Sequence, residues 1–462
     1  MGNANKSLAL VIVALFLTSL VALPSSTVKA SPKTITVPDD YPTIQEAIDN
    51  ANAGDTVFVE QGVYQEETLE INKPLTLTGE ETDKTEINLN PPLVNYTFIY
   101  VPMVVHSTAI TINANNVKIS GFTISMIDDK YNYLGGISAN GNNIQISGNK
   151  IGKSGDSPLK LSGTLISVIN NSLANDLVVN GSNQTIANNL ITGNFESQGS
   201  FNEIIYNKIS QGLNINGSFN LVIGNTISRL FVQNSNYSFI SNNSLGRLEI
   251  GVFGQSCANN TFCKNFIIGP SLWGILLGRG SENVFHDNLI SNYTNGYAIA
   301  IGGTHAVAEK NTFYHNLFID NELDVGANWE VLGSGNFWDN GKIGNYWSKY
   351  SGSDSNGDGI GDNPFVVEGR KGDENGGLIR AVFGQDNFPL TKPFNINDAR
   401  TELPYWASDF LNSSVDQSQS PEQQESEPFP TINLLVVLAM VTVGLIIVAS
   451  FLACKRKTTN II

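Results

Sequence analysis

The sequence predicts an all-β chain folded as a parallel β-helix, in which each coil consists of short strands joined by tight turns. Three observations support this prediction: an Asn-x-aliphatic motif recurs, four consecutive intervals between motifs are 18 residues, and other positions keep the same register. The motif begins at Asn149, Asn171, Asn189, Asn207, Asn225, Asn243, Asn265, Asn288 and Asn316. An α-solenoid needs longer units and good helix formers, whereas this repeat is rich in Asn, Gly, Ser and Ile, which favour turns and strands.

The columns of the repeat predict a role for each part of a coil. We expect each motif asparagine to lie in a turn and to bond the asparagine of the next coil. We expect the columns of Ile, Leu and Phe to fill the interior, and the column of Gly and Ser to mark a bend that needs unusual backbone angles. Six residues after the asparagine stand Leu177, Phe195, Leu213 and Phe231, and ten residues after it stand Gly181, Gly199, Gly217 and Ser235. Twelve residues after it stand Asn183, Phe201, Phe219 and Tyr237, and fifteen residues after it stand Ile186, Ile204, Val222 and Ile240.

The open ends of a solenoid must be capped. Thr43 and Glu46 form a capping box before an apolar helical stripe that we place at the N-terminal end. The stripe consists of Ile44, Ala47, Ile48 and Ala51. We expect the first strand at 57–59, further strands at 69–71, 75–78 and 86–89, and a protruding loop at 91–105. We expect the last coil to be sealed by Phe337, Trp338, Tyr346, Trp347 and Tyr350.

The chain ends predict export and a membrane anchor. Lys6, the apolar stretch 8–23 and a small-residue exit at Ala30 indicate a signal peptide over 1–30. The uncharged stretch 434–454 is long enough to span a bilayer, and the basic residues that follow place its end in the cytoplasm. We therefore predict a cap and first coil at 31–60, repeats at 61–330, a C-terminal cap at 331–395, an acidic flexible stalk at 396–430, a membrane span at 431–454 and a cytoplasmic tail at 455–462.

Composition excludes several classes of protein. The chain has 26 Lys and Arg against 42 Asp and Glu, so its formal net charge is −16. A nucleic-acid-binding protein needs a basic face to neutralise phosphates, so we expect no nucleic-acid partner. Three cysteines exclude a four-cysteine zinc site and a disulfide-rich scaffold. Several Asn-x-Ser/Thr sequons, among them Asn95 and Asn412, are candidate glycosylation sites in an exported protein.

Residues 34–395 resemble a known fold family. The opening TITVPDDYPTIQEAIDNANAGDTVFV is similar to the start of pectin-lyase-like, right-handed parallel β-helix proteins. The Asn-x-Ile coils and the closing GNYWSKYSGSDSNGDGIGDNPFVV resemble the NosD-type periplasmic copper-binding family and prokaryotic, especially archaeal, surface proteins. The resemblance implies the fold; it says little about function, because this fold carries lyases, hydrolases, epimerases, adhesins and scaffolds.

A calcium loop is the sharpest local motif. Oxygen ligands at alternate positions, followed by glycine and a backbone carbonyl, match the first part of an EF-hand loop. The predicted ligands are Asp354, Asn356, Asp358, the carbonyl of Ile360, and Asp362. Phe365 stands where an EF-hand has its bidentate glutamate, so we expect at most a weak structural Ca²⁺ site, with a polar turn as the alternative.

Copper is a poorer fit to the residues. Copper delivery, which the family resemblance suggests, needs imidazole or soft ligands. The chain has four histidines: His106, His286, His305 and His315. His286 and His315 precede motif asparagines by two residues and one residue, so they can share a face; we nevertheless expect surface histidines. Cys257 and Cys263 either pair across a turn or remain buried thiols.

Catalytic signatures are sparse. Asp176, Glu196 and Glu203 lie in different columns, whereas a glycosidase needs two carboxyl groups close together. The dense polar cluster at 128–130, before Tyr131 and Tyr133, is typical of a solvated loop. We expect a non-catalytic surface scaffold or adhesin, or a carbohydrate binder. Candidate sugar platforms are Tyr131, Tyr133, Trp273 and Tyr297, for which packing in the core is an equal alternative. The alternatives are a polysaccharide lyase or epimerase on this fold, and metal handling.

Overall fold

The computed structural model describes residues 31–98, 101–126, 136–152, 159–302, 308–327, 335–373, 377–399, 403–404 and 406. Residues up to Pro404 belong to one compact unit, and Trp406 belongs to a second. The predicted signal peptide, membrane span and tail, and most of the predicted stalk, lie outside these residues. Within the described ranges no helix is long and apolar enough to cross a membrane.

Parallel strands from successive coils pair into three faces around an apolar core. The first face contains strands Thr34–Val37, Thr56–Val59, Thr76–Gly79, Lys118–Ser120, Gln145–Ser147, Ser167–Ile169, Thr185–Ala187, Glu203–Ile205, Leu221–Ile223, Phe239–Ser241, Thr261–Cys263, Val284–His286 and Thr312–Tyr314. The second face contains Gly62–Glu66, Thr85–Leu89, Thr123–Met126, Lys150–Ile151, Ser172–Leu173, Leu190–Ile191, Phe266–Ile268, Leu289–Ser291, Leu317–Ile319 and Tyr346–Trp347.

The third face contains Leu69–Ile71, Ile110–Ile112, Ile137–Asn140, Leu159–Ser162, Leu177–Asn180, Phe195–Gln198, Trp273–Leu277, Tyr297–Ile301, Leu323–Ala327 and Phe365–Gly372, and the antiparallel Leu378–Asp386 follows. Three longer strands run through both the second and third faces: Lys208–Asn216, Thr226–Gln233 and Ser244–Ile250. A small separate pair is formed by Ser256–Ala258 and Arg279–Ser281, and short 3₁₀ helices occur at Val252–Gly254 and Ile396–Asp398.

The predicted N-terminal cap is present. The helix spans Ile44–Asn50, and the Thr43 side chain accepts a hydrogen bond from the Glu46 N–H at 3.2 Å. The whole predicted apolar stripe is buried. The first strand, however, is Thr34–Val37, which precedes the helix and pairs with Thr56–Val59. The prediction that the first strand begins after the helix is therefore wrong.

Two polar ladders run along the corners of the coils. In the predicted asparagine ladder, each side chain bonds the next; Asn207, for example, accepts from Nδ2 of Asn189 at 2.9 Å and donates to Oδ1 of Asn225 at 3.0 Å. The ladder continues beyond the predicted set through Asn345. A second ladder, which the sequence analysis missed, lies at the corner before the first face and consists of Gln184, Asn202, Asn220, Ser238, Asn260, Asn283, Asn311 and Asn336.

The predicted columns are confirmed in part. The column from Ile186 to Ile240 is fully buried, and the glycine column has positive φ, as at Gly181 with φ 142°. Phe201, Phe219 and Tyr237 instead stack outside the core, with ring centroids 5.0 and 5.3 Å apart, so placing the aromatic residues of this column in the interior was wrong. They occupy left-handed turn positions, whose side chains leave the coil.

The C-terminal end is closed by aromatic residues and a hairpin. Trp338 and Trp347 are buried as predicted, whereas Phe337 is 56% exposed, contrary to prediction. Phe365–Gly372 pairs with the last coil and then with Leu378–Asp386. Ile396 is buried and Lys264 donates to the carbonyl of Ala399, so the folded unit extends beyond the predicted boundary at 395.

The segment predicted as a protruding loop is a β-hairpin. Leu93–Phe98 pairs antiparallel with Val101–His106, and this pair is separate from the sheets of the coils. The interruption of the repeat was predicted correctly, but its regular structure was not.

Candidate functional site

A shift of register by one residue creates the principal site. Lys208 and Ile209 align with Thr226 and Ile227, but beyond a bulge Leu213 aligns with Leu230 rather than with Phe231. A one-residue slip moves a strand residue to the opposite face of its sheet. Phe231 therefore lies beside Asn214 on the outward side of the third face, and the prediction that it fills the interior is wrong.

The same slip places two arginines around a buried glutamate. Nε and Nη2 of Arg229 donate to the two carboxylate oxygens of Glu249 at 2.6 and 2.8 Å. Nε of Arg247 lies 3.0 Å from Oε1 of the same carboxylate. The Glu249 side chain is 2% exposed, whereas the side chains of Arg229 and Arg247 are 34% and 27% exposed. The glutamate is thus covered, while both guanidinium groups reach solvent.

These arginines line a groove of about 310 Å³, which we call the arginine groove. Its walls are formed by Ser228, Arg229, Gly246, Arg247, Pro270 and Ser271. The Arg229 guanidinium lies 3.9 Å from the centre of the Phe231 ring, and that of Arg247 lies 5.9 Å from a ring of Trp273. Both contacts are cation–π distances that hold a guanidinium in place.

Tyr293 supports this corner from within the fold. Its hydroxyl donates to the carbonyl of Gly246 at 2.8 Å, and its ring occupies the space that side chains at Gly269 and Gly274 would take. Burial raises the pKa of the Tyr293 hydroxyl well above its usual value, so this group remains protonated and acts as a fixed donor. Glycine is required at these positions because a Cβ at Gly269 would lie 2.3 Å from the ring.

The arrangement suits recognition of an anion. Two guanidinium groups share one carboxylate, which leaves a local excess of one positive charge and several N–H donors directed away from Glu249. Arginine binds carboxylates in a bidentate manner, and the serines of the groove add hydroxyl groups. Glu249 accepts hydrogen bonds from Arg229 and forms an ion pair with Arg247, so its carboxylate is already engaged rather than available to a substrate.

The predicted calcium residues form a self-bonded loop. Asp354 accepts the backbone N–H groups of Gly357 and Gly359 at 2.8 and 3.0 Å, and Asp362 accepts from Ser353 and Ser355. These donors hold the pKa of Asp362 below its usual value. Across the described ranges no three His, Cys, Asp or Glu side chains converge to hold a metal. Calcium binding by this loop stays a prediction.

His286 and His315 do share one site, as the sequence suggested. The Nδ1 atoms of both rings lie 2.5 Å from the carboxylate oxygens of Asp287, which the sequence analysis did not single out. These interactions with the two histidines lower the pKa of Asp287 to about 2, although burial alone, the largest single influence, would raise it. The His315 ring stacks on Phe394 at 3.8 Å. His315 therefore links the C-terminal segment to the coils. His106 bonds the carbonyl of Pro91, and His305 lies outside the described residues.

The two cysteines that lie in the described coils are buried free thiols. Sγ of Cys257 donates to the carbonyl of Val232, and Sγ of Cys263 lies near the hydroxyl of Ser241. Burial raises the pKa of each thiol to about 11, which keeps both protonated. Of the two alternatives left open by the sequence, the structure selects free thiols.

The three acidic residues of the 18-residue coils do not share one face. Asp176 accepts the backbone N–H of Asn194, Glu196 lies on the third face, and Glu203 lies on the first face. The polar cluster 128–130 and its neighbours Tyr131 and Tyr133 lie outside the described residues. Of the predicted sugar platforms, Trp273 and Tyr297 are aligned in adjacent coils of the third face.

Known proteins share this fold. The A-module of the mannuronan C-5 epimerase AlgE4 from Azotobacter vinelandii superposes with a TM-score of 0.50 at 12% identity, over 63% of this chain and 94% of that chain. The chain is a right-handed parallel β-helix. Within this β-helix, residues 142–352 match the model of the family described as periplasmic copper-binding protein (NosD). No curated protein matches the chain by sequence.

Two further solved structures are similar to this β-helix. The A-module of the A. vinelandii epimerase AlgE6 has 15% identity and a TM-score of 0.47, over 64% of this chain and 93% of that chain. A PL6 alginate lyase in complex with a trisaccharide has 13% identity and a TM-score of 0.46, over 74% and 88%. At such identities the likeness concerns the fold.

The arginine groove was missed in the sequence, although a signal was present. Arg229 and Arg247 are 18 residues apart, and Arg247 lies one coil above Arg229 in register. Two bases at one repeat position in an acidic chain indicate a local basic cluster. Glu249 gave no such signal, because its burial depends on both arginines and on the shifted register.

Proposed function

We propose that the chain is a non-catalytic surface protein that binds an acidic polysaccharide through the arginine groove. The observation that carries this proposal is the pair of partly exposed guanidinium groups held on one buried carboxylate. A uronate carboxylate fits their remaining donors, and Trp273 offers an apolar ring face for a sugar. The overall charge of −16 would repel a polyanion elsewhere, which confines binding to basic clusters.

Mannuronan, on which the epimerase of similar fold acts by its name, is a suitable acidic probe. The test measures binding of the full chain in mild detergent to mannuronan and to a neutral glucan. We expect binding to mannuronan that weakens with salt, and a loss of about tenfold or more in Arg247→Gln, because one bidentate partner contributes about 1.4 kcal/mol. Lys84→Gln removes a cation that is 56% exposed and serves as the control. Equal affinity for both glycans would overturn the proposal.

A lyase or epimerase on the same fold is the second candidate, favoured by two arginines of one groove that meet on the buried carboxylate of Glu249. Against it, the carboxylate of Glu249 is bonded by both arginines, and the described groove walls add hydroxyls but no second acid. Incubation of the protein with mannuronan, followed by analysis of chain length and of the uronate epimers, separates the two functions. Turnover that disappears in Glu249→Gln would establish an enzyme.

We also propose an extracytoplasmic location with a C-terminal membrane anchor. The family whose model matches residues 142–352 is described as periplasmic, and the stretches 8–23 and 434–454 supply the targeting signals. Protease treatment of intact cells should release a soluble fragment that contains the β-helix. Recovery of the whole chain in the cytosolic fraction would contradict this location.

A further inference from the structure

We propose that one acidic glycan chain occupies both the arginine groove and a second cavity at the C-terminal end of the third face. This inference rests on the proposed function. It adds that the ligand runs along the third face and must have a minimum length. The second cavity, which we call the terminal cavity, has a volume of about 560 Å³. It is lined by Glu322, Leu323, Asp324, Lys349, Phe365, Val366, Glu368, Gly369, Arg370 and Arg380.

The terminal cavity contains an unfavourable pair of like charges. Arg370 and Arg380 are direct cross-strand partners in the antiparallel hairpin. Like charges in such positions destabilise a sheet. Arg380 binds Glu368, but its side chain is 78% exposed, so this pair offsets little of the repulsion. An anion between the two guanidinium groups would turn the repulsion into binding energy.

Buried charge elsewhere in the cavity is already paired. Asp324 is 6% exposed and accepts a hydrogen bond from Nζ of Lys349 at 3.2 Å. Lys349 also donates to the carbonyl of Glu322. Burial raises the pKa of Asp324, and Lys349 opposes that shift. The cavity also presents the carboxylates of Glu322 and Glu368, the latter bonded to Arg380. Arg370 is therefore the cation of the cavity that no ion pair among the described residues engages.

The two sites lie on one line. Leu248 aligns through Ile275 and Ile299 with Val325, and Val325 aligns with Gly369. Arg247 precedes Leu248 and Asp324 precedes Val325, so groove and cavity occupy the same edge of the third face. Four strand steps of about 4.8 Å separate their strands, a distance of roughly 19 Å.

Aromatic residues occupy the interval. Trp273, beside Arg247, aligns with Tyr297, and Tyr297 aligns with Leu323, which lines the terminal cavity. The Tyr297 ring lies over Gly326, where a Cβ would come within 2.3 Å of it. A strip with cations at both ends and aromatic rings between them fits an extended chain of acidic sugars.

A length series of mannuronan oligomers tests the inference with the full chain in detergent. A disaccharide cannot reach across roughly 19 Å, whereas an octasaccharide can, so affinity should rise about tenfold or more between them. Arg370→Gln/Arg380→Gln should abolish this rise, so that the octasaccharide binds no more tightly than the disaccharide. Arg370→Gln alone repeats the test with one exposed side chain changed, should the double variant fail to fold. Lys84→Gln/Lys150→Gln, at the other end of the molecule, is the charge-matched control.

The outcomes separate the two proposals. A rise with length that is lost in the Arg370 variants supports the bridged ligand. Affinity that does not depend on length, or a rise that persists in these variants, overturns it while the arginine groove stands. If no mannuronan oligomer binds, the proposed function fails and the bridged ligand fails with it.

Discussion

Arg229 reaches across one coil and bonds both carboxylate oxygens of Glu249, at 2.6 and 2.8 Å. Arg229 shares its repeat position with Arg247, and Glu249 shares its position with Phe231, which the bulge in the preceding coil places on the outward side. The ion pair of Arg229 and Glu249 is the most distinctive charged site of the solenoid, and it lies next to the irregular coil.

Arg229→Ala should destabilise the fold, because it leaves the buried Glu249 with Arg247 as its remaining partner. Loss of one partner of a buried ion pair costs about 3–5 kcal/mol; the solvent access of Arg229 and the second arginine reduce our expectation to about 2 kcal/mol. Denaturant unfolding monitored by circular dichroism measures the change. Lys84→Ala, at an exposed pair, should change the free energy of unfolding by less than about 1 kcal/mol; an equal effect of both variants would refute this account.

Asn207→Leu should destabilise several coils. The Asn207 side chain accepts from Asn189 and donates to the carbonyl of Ile186 and to Asn225, all buried. Each buried group left without a partner costs about 1–3 kcal/mol, so we expect a loss of at least about 3 kcal/mol. Asn188→Asp, at the exposed residue before the ladder, should be nearly neutral, because aspartate tolerates the left-handed backbone found there. Thermal unfolding compares the two.

Stability should fall as pH rises toward 7. Burial raises the pKa of Glu203 to about 7, and a hydrogen bond from Thr185 opposes this only in part. Between the usual pKa of glutamate and pH 7, the folded state keeps a proton that the unfolded state has released, so increasing pH favours unfolding by up to about 3 kcal/mol. Asp386, whose pKa burial raises to about 6, contributes in the same direction. Glu203→Gln should flatten the profile above pH 6; an unchanged profile would show that Glu203 titrates normally.

Calcium binding at the loop 354–362 is tested by thermal unfolding with and without millimolar Ca²⁺, the range expected of weak extracellular sites. The prediction is a higher unfolding midpoint with Ca²⁺, abolished in Asp354→Asn/Asp358→Asn. Mg²⁺ serves as the control ion, because it prefers a smaller octahedral site. An equal midpoint with and without Ca²⁺ would identify the loop as a self-bonded turn, in keeping with the hydrogen bonds that Asp354 accepts.

Copper is expected not to bind in stoichiometric amounts. Both described coil histidines present Nδ1 to Asp287, and His315 is also stacked on Phe394. Calorimetric titration of the full chain with Cu²⁺ measures binding directly. One equivalent bound by the native chain and lost in His286→Ala would contradict this expectation and would favour metal handling.

The fold was predictable where residues of the same type occupy the same position in successive coils. The interval of 18 residues places Asn189, Asn207 and Asn225 in one file and buries Ile204 under Val222, because parallel in-register strands align every position with its counterpart. The capping helix was predictable because its signals are local. The course of the first strand was not, because Thr34–Val37 pairs with residues that follow the helix.

The sequence by itself determined the repeat, the buried column from Ile186 to Ile240 and the asparagine ladder, since these follow from a period that can be counted along the chain. Only the tertiary structure decided which charged side chains come together. A bulge of one residue turned Phe231 outward and joined Arg229 to Glu249, and a terminal hairpin set Arg370 opposite Arg380. The physical reason is that side-chain direction in a strand alternates residue by residue, so a small slip in pairing, invisible in a period, reassigns a face.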